Sequence, residues 1–211
     1  VWKMSPGGVF SGFVHDPADE TSISGNYVTG LALDEYGYLW VGTRSHGLTH
    51  CNPDGFICTR HDATSGSGLR HHYVTAIHQD HNRDWWVGTA GGGLHRAVRS
   101  DDGRIDRFEL FSLDHEMPDN YVVSFLDDDD GSLWIGTRNG LTRLDQERKQ
   151  VAHYLISDGL VSDVFNRGAA ARNAQRLFFG TVSGIVHLPA GTPFVPSAPA
   201  PLVFIQAQNL T

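Results

Sequence analysis

Leu39-Trp40-Val41-Gly42-Thr43 decides the fold, because it returns. It reappears as Trp85-Trp86-Val87-Gly88-Thr89, as Leu133-Trp134-Ile135-Gly136-Thr137 and, weakened, as Leu177-Phe178-Phe179-Gly180-Thr181. The glycines stand at 42, 88, 136 and 180, so the copies are 46, 48 and 44 residues apart. The flanks repeat as well. Val28-Thr29-Gly30-Leu31-Ala32-Leu33-Asp34 is matched by Val74 to Asp80 and Val122 to Asp127. Downstream, Gly47-Leu48 is matched by Gly93-Leu94, Gly140-Leu141 and Gly184-Ile185. Four aligned copies exclude coincidence, and a fixed period of this size is the signature of a repeat architecture.

Each copy reads as strands. Runs of four to seven residues, rich in Val, Ile, Leu and Trp, end at Gly or Asp. Asp34-Glu35-Tyr36-Gly37 and Asp130-Gly131 are tight-turn signals between a first and a second strand. A third strand follows the Gly-Leu pair. A fourth holds Phe56 to Arg60, Arg107 to Phe111, or Val151 to Leu155. Four antiparallel strands in about 46 residues match a β-propeller blade. Leu-Trp-Val-Gly is apolar at successive positions, as a strand covered on both faces requires, and two neighbouring blades supply that cover. A β-sandwich with accidental similarity does not account for the period.

The expected fold is therefore all-β: a β-propeller of four-stranded antiparallel blades, in an incomplete arc of about four to five blades. Residues 1–26 read as the end of a preceding blade. Blades follow at 27–72, 73–120 and 121–163. A final, partial blade covers 164–188 and loses its fourth strand near Leu188. Residues 189–201 hold five of the nine prolines and read as a stiff linker. Leu202-Val203-Phe204-Ile205 reads as one more strand, without a partner in this chain.

Composition narrows the function. The chain has 211 residues, 40% hydrophobic and 19% charged, enough for a sizeable core. Its 24 glycines suit many tight turns. The formal net charge is -8, the 16 basic residues are scattered, and Lys3 and Lys149 are the only lysines. No basic stripe is present to neutralise phosphates, so nucleic acid is a poor partner. No run of about 18 apolar residues occurs, so nothing in this sequence spans a membrane as a helix. The chain opens on Val1 and reads as a piece of something longer, with any membrane attachment in parts outside it.

The pattern Val-x-x-(Ile/Leu/Phe)-x-x-Asp…Gly-x-Leu-Trp-(Val/Ile)-Gly-Thr…Gly-Leu resembles the two-component regulator propeller repeat. The connector His15-Asp16-Pro17…Asn26-Tyr27-Val28 and the shorter Ser157-Asp158-Gly159-Leu160-Val161-Ser162-Asp163 are similar to that family's passage from blade to blade. Ala200-Pro201-Leu202-Val203-Phe204-Ile205 is similar to the opening of the immunoglobulin-like domain that follows the last blade. The fourth copy departs from the pattern, with Phe178-Phe179 in the Trp position and no Asp or Gly between Ala171 and Arg176. The resemblance implies the periplasmic or extracytoplasmic sensing region of a membrane receptor, with about seven blades in the parent. The cytoplasmic output would be a histidine kinase or a diguanylate cyclase. It also implies a small-molecule or oligosaccharide ligand, a homodimeric parent, no cofactor, and no catalysis by this piece. Two alternatives remain: a propeller lyase related to virginiamycin B lyase, and a passive interaction scaffold.

The expected ligand face is built from the loops joining strands two and three and from the blade-to-blade connectors. Those loops are Arg44-Ser45-His46, Ala90-Gly91-Gly92, Arg138-Asn139 and Val182-Ser183. Arg44 and Arg138 share one repeat position, and guanidinium forks there suit carboxylates or sugar hydroxyls. The candidate rim is Arg44, His46, Arg138 and Asn139, near His71, His72, Asp119 and Asn120. Tyr27, Tyr73 and Tyr121 also share a position. They either stack on a ligand ring or sit in the blade interface, and the structural reading is preferred. The 12 histidines lack zinc-type spacing, so no metal site is expected. Asp127-Asp128-Asp129-Asp130-Gly131 fits no calcium loop and reads as a turn with surplus charge.

Cys51 and Cys58 are the only cysteines. A two-residue turn at Asp54-Gly55 would set them directly opposite each other, within reach of a disulfide. A four-residue turn over Asn52-Pro53-Asp54-Gly55 would instead set Cys51 against Phe56. Both registers are open at this point, as are a bond and two reduced thiols.

Overall fold

The computed structural model describes residues 1–52, 55–111, 119–192, 194 and 203–205. Eighteen strands are placed among them, with one short 3-10 turn at Ile156–Asp158. β1 (Trp2–Met4) and β2 (Phe10–Gly12) form a two-stranded sheet. The first full blade is β3 (Val28–Leu33), β4 (Leu39–Thr43), β5 (Leu48–Cys51) and β6 (Cys58–His61). The second is β7 (Val74–Gln79), β8 (Trp85–Thr89), β9 (Leu94–Arg99) and β10 (Ile105–Leu110). The third is β11 (Val122–Asp127), β12 (Leu133–Thr137), β13 (Leu141–Leu144) and β14 (Val151–Tyr154). The fourth is β15 (Phe165–Arg172), β16 (Arg176–Thr181), β17 (Gly184–Pro189) and β18 (Val203–Ile205). Every pairing is antiparallel between sequence neighbours, and the sheets are arranged as the blades of a propeller.

The repeated motif forms the second strand of each blade and is buried along its length. Trp40, Trp86 and Trp134 are 0%, 0% and 2% exposed. Each indole Nε1 donates to the carboxylate six residues earlier: Asp34 at 3.1 Å, Asp80 at 2.8 Å and Asp128 at 3.1 Å. The same Asp closes the first hairpin. Asp34 Oδ1 accepts the amides of Tyr36 and Tyr38, and Asp80 Oδ1 those of Asn82 and Asp84. Arginines complete the arrangement. Arg99 of the second blade reaches back to Asp34 at 2.9 Å, and Arg148 of the third to Asp80 at 2.7 Å. Arg143 holds Asp130 at 2.6 Å within its own blade.

The glycine of the motif is explained by the next blade. A Cβ on Gly42 would lie 2.8 Å from Val74 Cγ1, and one on Gly88 2.7 Å from Val122 Cγ1. The first strand of each following blade packs against backbone there.

Two expectations need correction and one open alternative is settled. Val203–Ile205 is not unpartnered: it pairs with β17 and supplies the fourth strand that the last blade was expected to lack. The free edge of β17 offers backbone donors and acceptors that another strand satisfies. Most of the expected linker, 193 and 195–201, and of the expected immunoglobulin-like start, 202 and 206–211, lies outside the described residues. The carboxylates of Asp127 to Asp130 are not surplus charge: they engage His78, Trp134, Arg172 and Arg143 respectively. The Cys51 register is resolved: Cys51 stands opposite Cys58 across β5 and β6, and the two are joined in a disulfide. Asp54 lies outside the described residues, while Gly55 and Phe56 both adopt positive φ, 80° and 56°.

Candidate functional site

Antiparallel blades put first-to-second and third-to-fourth turns at one end. The second-to-third loops and the connectors share the other. Backbone hydrogen bonds tie this second set together. The amides of Arg44, Ala90, Arg138 and Val182 donate to the carbonyls of Tyr27, Tyr73, Tyr121 and Val164. Gly47, Gly93 and Gly140 donate onward to the connector carbonyls of His72, Asn120 and Asp163. Each of the first three loops is thus held between the connector entering its own blade and the connector leaving it, and the fourth is held by the entering connector.

On this end the arginines and tyrosines form one cluster. Arg44 lies over the Tyr27 ring at 5.2 Å and over Tyr73 at 6.0 Å. Arg138 lies over Tyr121 at 4.0 Å. Tyr73 and Tyr121 meet edge to face at 6.4 Å. Arg167 lies over Tyr73 at 5.8 Å, and its Nη1 donates to the Tyr73 hydroxyl at 3.1 Å. Arg44 and Arg138 therefore belong to one connected surface. Tyr27 is 58% exposed, which removes it from the blade interface, and Tyr73 and Tyr121 are half-buried.

The other rim candidates hold the loops. His71 Nδ1 accepts the Tyr73 amide at 3.0 Å, and Asp119 Oδ1 accepts the Tyr121 amide at 3.1 Å. His72 and Asn120 contribute the carbonyls already described. The Asn139 amide donates to Thr137 Oγ1 at 3.1 Å. His46 bonds Ser45 Oγ at 2.9 Å, and its ring lies 5.9 Å from that of His15.

Sequence reasoning missed Arg167. It sits in β15, where the register jumps between Phe165 and Ala170, and Gly168 beside it has φ 67°. Such a bulge turns a side chain out of the ladder. Nothing in the repeat pattern marks it, because its neighbour Tyr73 is 94 residues away. Arg44, Arg138 and Arg167 are exposed, and none forms an ion pair among the described residues. Three guanidiniums without ion pairs concentrate positive charge at one end of a chain whose net charge is -8. Cationic forks above aromatic faces can hold a carboxylate, a sulfate or the hydroxyls of a sugar. Among the described residues no group of three His, Cys, Asp or Glu is placed to hold a metal ion.

The two component regulator propeller model matches residues 22–45, 68–91 and 116–139. No curated protein sequence matches the chain. Among solved structures, the extracellular domain of the hybrid two component system BT3049 from B. thetaiotaomicron superposes with a TM-score of 0.68 at 21% identity. That alignment covers 87% of this chain and 23% of the other. The extracellular domain of BT4673 from the same organism gives 0.67 at 18% identity, covering 85% and 26%. This chain thus spans about a quarter of either domain. A virginiamycin B lyase from Staphylococcus aureus, solved with quinupristin, gives 0.50 at 16% identity, covering 91% and 63%. At these identities the structural likeness establishes the propeller architecture alone.

Proposed function

We propose, on the premise that this chain is built of two component regulator propeller repeats, that it is a ligand-sensing segment of the extracytoplasmic region of a signal-transduction receptor. It binds rather than reacts, and relays occupancy to an output domain carried elsewhere in the parent. The ligand is a small molecule or oligosaccharide that presents an anionic group beside a ring or sugar face. The arginine–tyrosine cluster carries this reading: three guanidiniums without an ion pair among the described residues and three tyrosines, gathered from four blades at one end. The disulfide supports the location, since such bonds persist in oxidising compartments.

The test is calorimetric titration of the chain with matched acidic and neutral oligosaccharides, repeated on Arg44→Ala, Arg138→Ala and Arg167→Ala. Losing a charge-assisted bond should weaken binding of the acidic members about tenfold or more, with the thermal midpoint unchanged. Unaltered binding in all three variants, or unaltered signalling when Arg44→Ala is placed in the parent receptor, would remove the rim from the account.

A further inference from the structure

We propose a second ligand site, a cleft between the outer strands of the first and second blades that takes a neutral polyhydroxylated ring, the size of one monosaccharide. The cleft lies toward the turn end of the blades, away from the arginine rim. It measures about 430 Å³, within the range of small-ligand sites. One wall is a single face of the first blade, lined by Tyr38, His50, Asn52, Ile57, Thr59 and His61. His50 pairs with Trp40 across β4 and β5, and Thr59 pairs with His50 across β5 and β6. The others stand two residues from one of these, so all share the face that Trp40 turns toward Trp85 of the second blade.

The cleft exists because the first blade departs from its neighbours. The residue paired with the motif tryptophan is Arg96 in the second blade and Arg143 in the third, but His50 in the first. Opposite the leucine of the Gly-Leu pair the third blade has Tyr154 and the first has His61. In the third blade Arg143 lies over the Trp134 ring at 4.8 Å and Tyr154 lies 5.5 Å from the same ring. The shorter imidazoles leave that volume open. His50 and His61 are 3% and 5% exposed, and burial lowers both to pKa values of about 4, so the floor of the cleft is neutral.

The second wall is aimed by a β-bulge. Ile105 pairs with Arg99 and Arg107 with Val98, so Asp106 opposes no residue of β9. The outer strand pairs of the first and third blades run without such a shift. A bulge re-aims a side chain, and Asp106 lines the cleft beside Ile105.

The groups left to bind are mixed, and each belongs to a residue that solvent reaches. The Tyr38 and Thr59 hydroxyls have no hydrogen bond among the described residues, and each can donate and accept. Asn52 Oδ1 accepts the Ile57 amide at 3.1 Å, which leaves Nδ2 to donate. The Asp106 carboxylate, without an ion pair among the described residues, only accepts. Arg104, also on the lining, is held by Asp102 at 2.7 Å. Apolar surface comes from Ile57, 58% exposed, from Ile105, and from the Tyr38 ring, which stacks on His50 at 4.4 Å. An anion meets Asp106 here and a cation meets Arg104. Hydroxyl groups donate and accept at once, so a ring that carries several of them matches this set.

The test follows the methyl resonances of Ile57 and Ile105, assigned through Ile57→Val and Ile105→Val. The whole chain is titrated at constant ionic strength with glucose, galactose, mannose and myo-inositol, and in parallel with sorbitol and sodium glucuronate. At least one ring should move both resonances to saturation. Sorbitol has the hydroxyls without the ring, and glucuronate adds a carboxylate, so each should bind about tenfold more weakly or worse than the best ring. Asp106→Ala removes an exposed acceptor and should weaken binding about tenfold or more at an unchanged thermal midpoint. His50→Arg restores the residue of the neighbouring blades and should fill the cleft and abolish the shift. Tyr38→Ser, which copies Ser132 of the third blade, should weaken binding where that variant fails to fold. Resonances unmoved by every ring overturn the proposal, as does sorbitol or glucuronate binding as well as the best ring, or binding indifferent to Asp106→Ala. Arg44→Ala at the distant rim should leave this titration unchanged, so the two sites fail or succeed separately.

Discussion

Asp80 shows what a single residue does in this fold. One carboxylate closes a hairpin through two amides, accepts the Trp86 indole, and receives Arg148 from the next blade at 2.7 Å. Removing it leaves a buried guanidinium and a buried indole unpaired. Asp80→Ala should cost about 3–5 kcal/mol in denaturant unfolding; a loss well below that would mean that water or a neighbour replaces the carboxylate. Histidines impose a second residue-scale property. Burial lowers His50, His61 and His95 to about 4, with Asp34 partly opposing the shift at His50. They are neutral in the fold and take protons near pH 6.5 once unfolded. Their contribution is intact above that value and is lost as pH falls toward 4, because the unfolded chain then binds more protons. Unfolding midpoints measured from pH 7 down to pH 4 should fall steadily across that window. Midpoints that stay flat to pH 4 would show the three imidazoles to be protonated in the fold.

Elements stack because their second strands are smooth. Gly88 lets β11 approach β8, with Val122 in the space a Cβ would need. Gly88→Ala should destabilise the chain by about 1–3 kcal/mol through overpacking, read as a lowered thermal midpoint. The β5–β6 hairpin carries its own constraint in the Cys51–Cys58 disulfide. The bond closes a short loop, so converting both cysteines to serine should cost only about 2 kcal/mol. Thiol titration of exported protein, denatured without reductant, should find none free. Two free thiols would show that the pair stays reduced even after export and remove a support of the receptor reading.

At the scale of the whole molecule, the blades cover one another but the first blade's outer face is bare. Leu31 and Leu33 of β3 are 54% and 68% exposed, and Trp2, Met4 and Phe10 of the β1–β2 sheet are exposed as well. Apolar strand faces of this kind associate in water. The isolated chain should grow in mean mass with concentration in light scattering, and Leu31→Ser with Leu33→Ser should reduce that growth. A stable monomer at high concentration would show that these side chains are tolerated in solvent.

The repeat of Leu-Trp-Val-Gly-Thr, read alone, determined the blades, their order and their four-stranded form, since strand period and turn residues are local signals that recur in register. It also placed Arg44 and Arg138 on one end, because equivalent positions in stacked repeats share a face. Asp34, Asp80 and Asp128 each stand six residues before a tryptophan, a spacing visible in the sequence whose meaning is not. Tertiary structure decided what crosses between blades: Arg99 and Arg148 on a neighbour's carboxylate, Arg167 on Tyr73, and Val203–Ile205 on the open edge of β17. It also decided that Tyr27 and Tyr73 belong with the arginines, while Tyr121 lies under Arg138 and also packs on the core shared by the third and fourth blades. These contacts join residues up to 94 positions apart. The local pattern carries no record of them, because they depend on how far each blade is turned against the next.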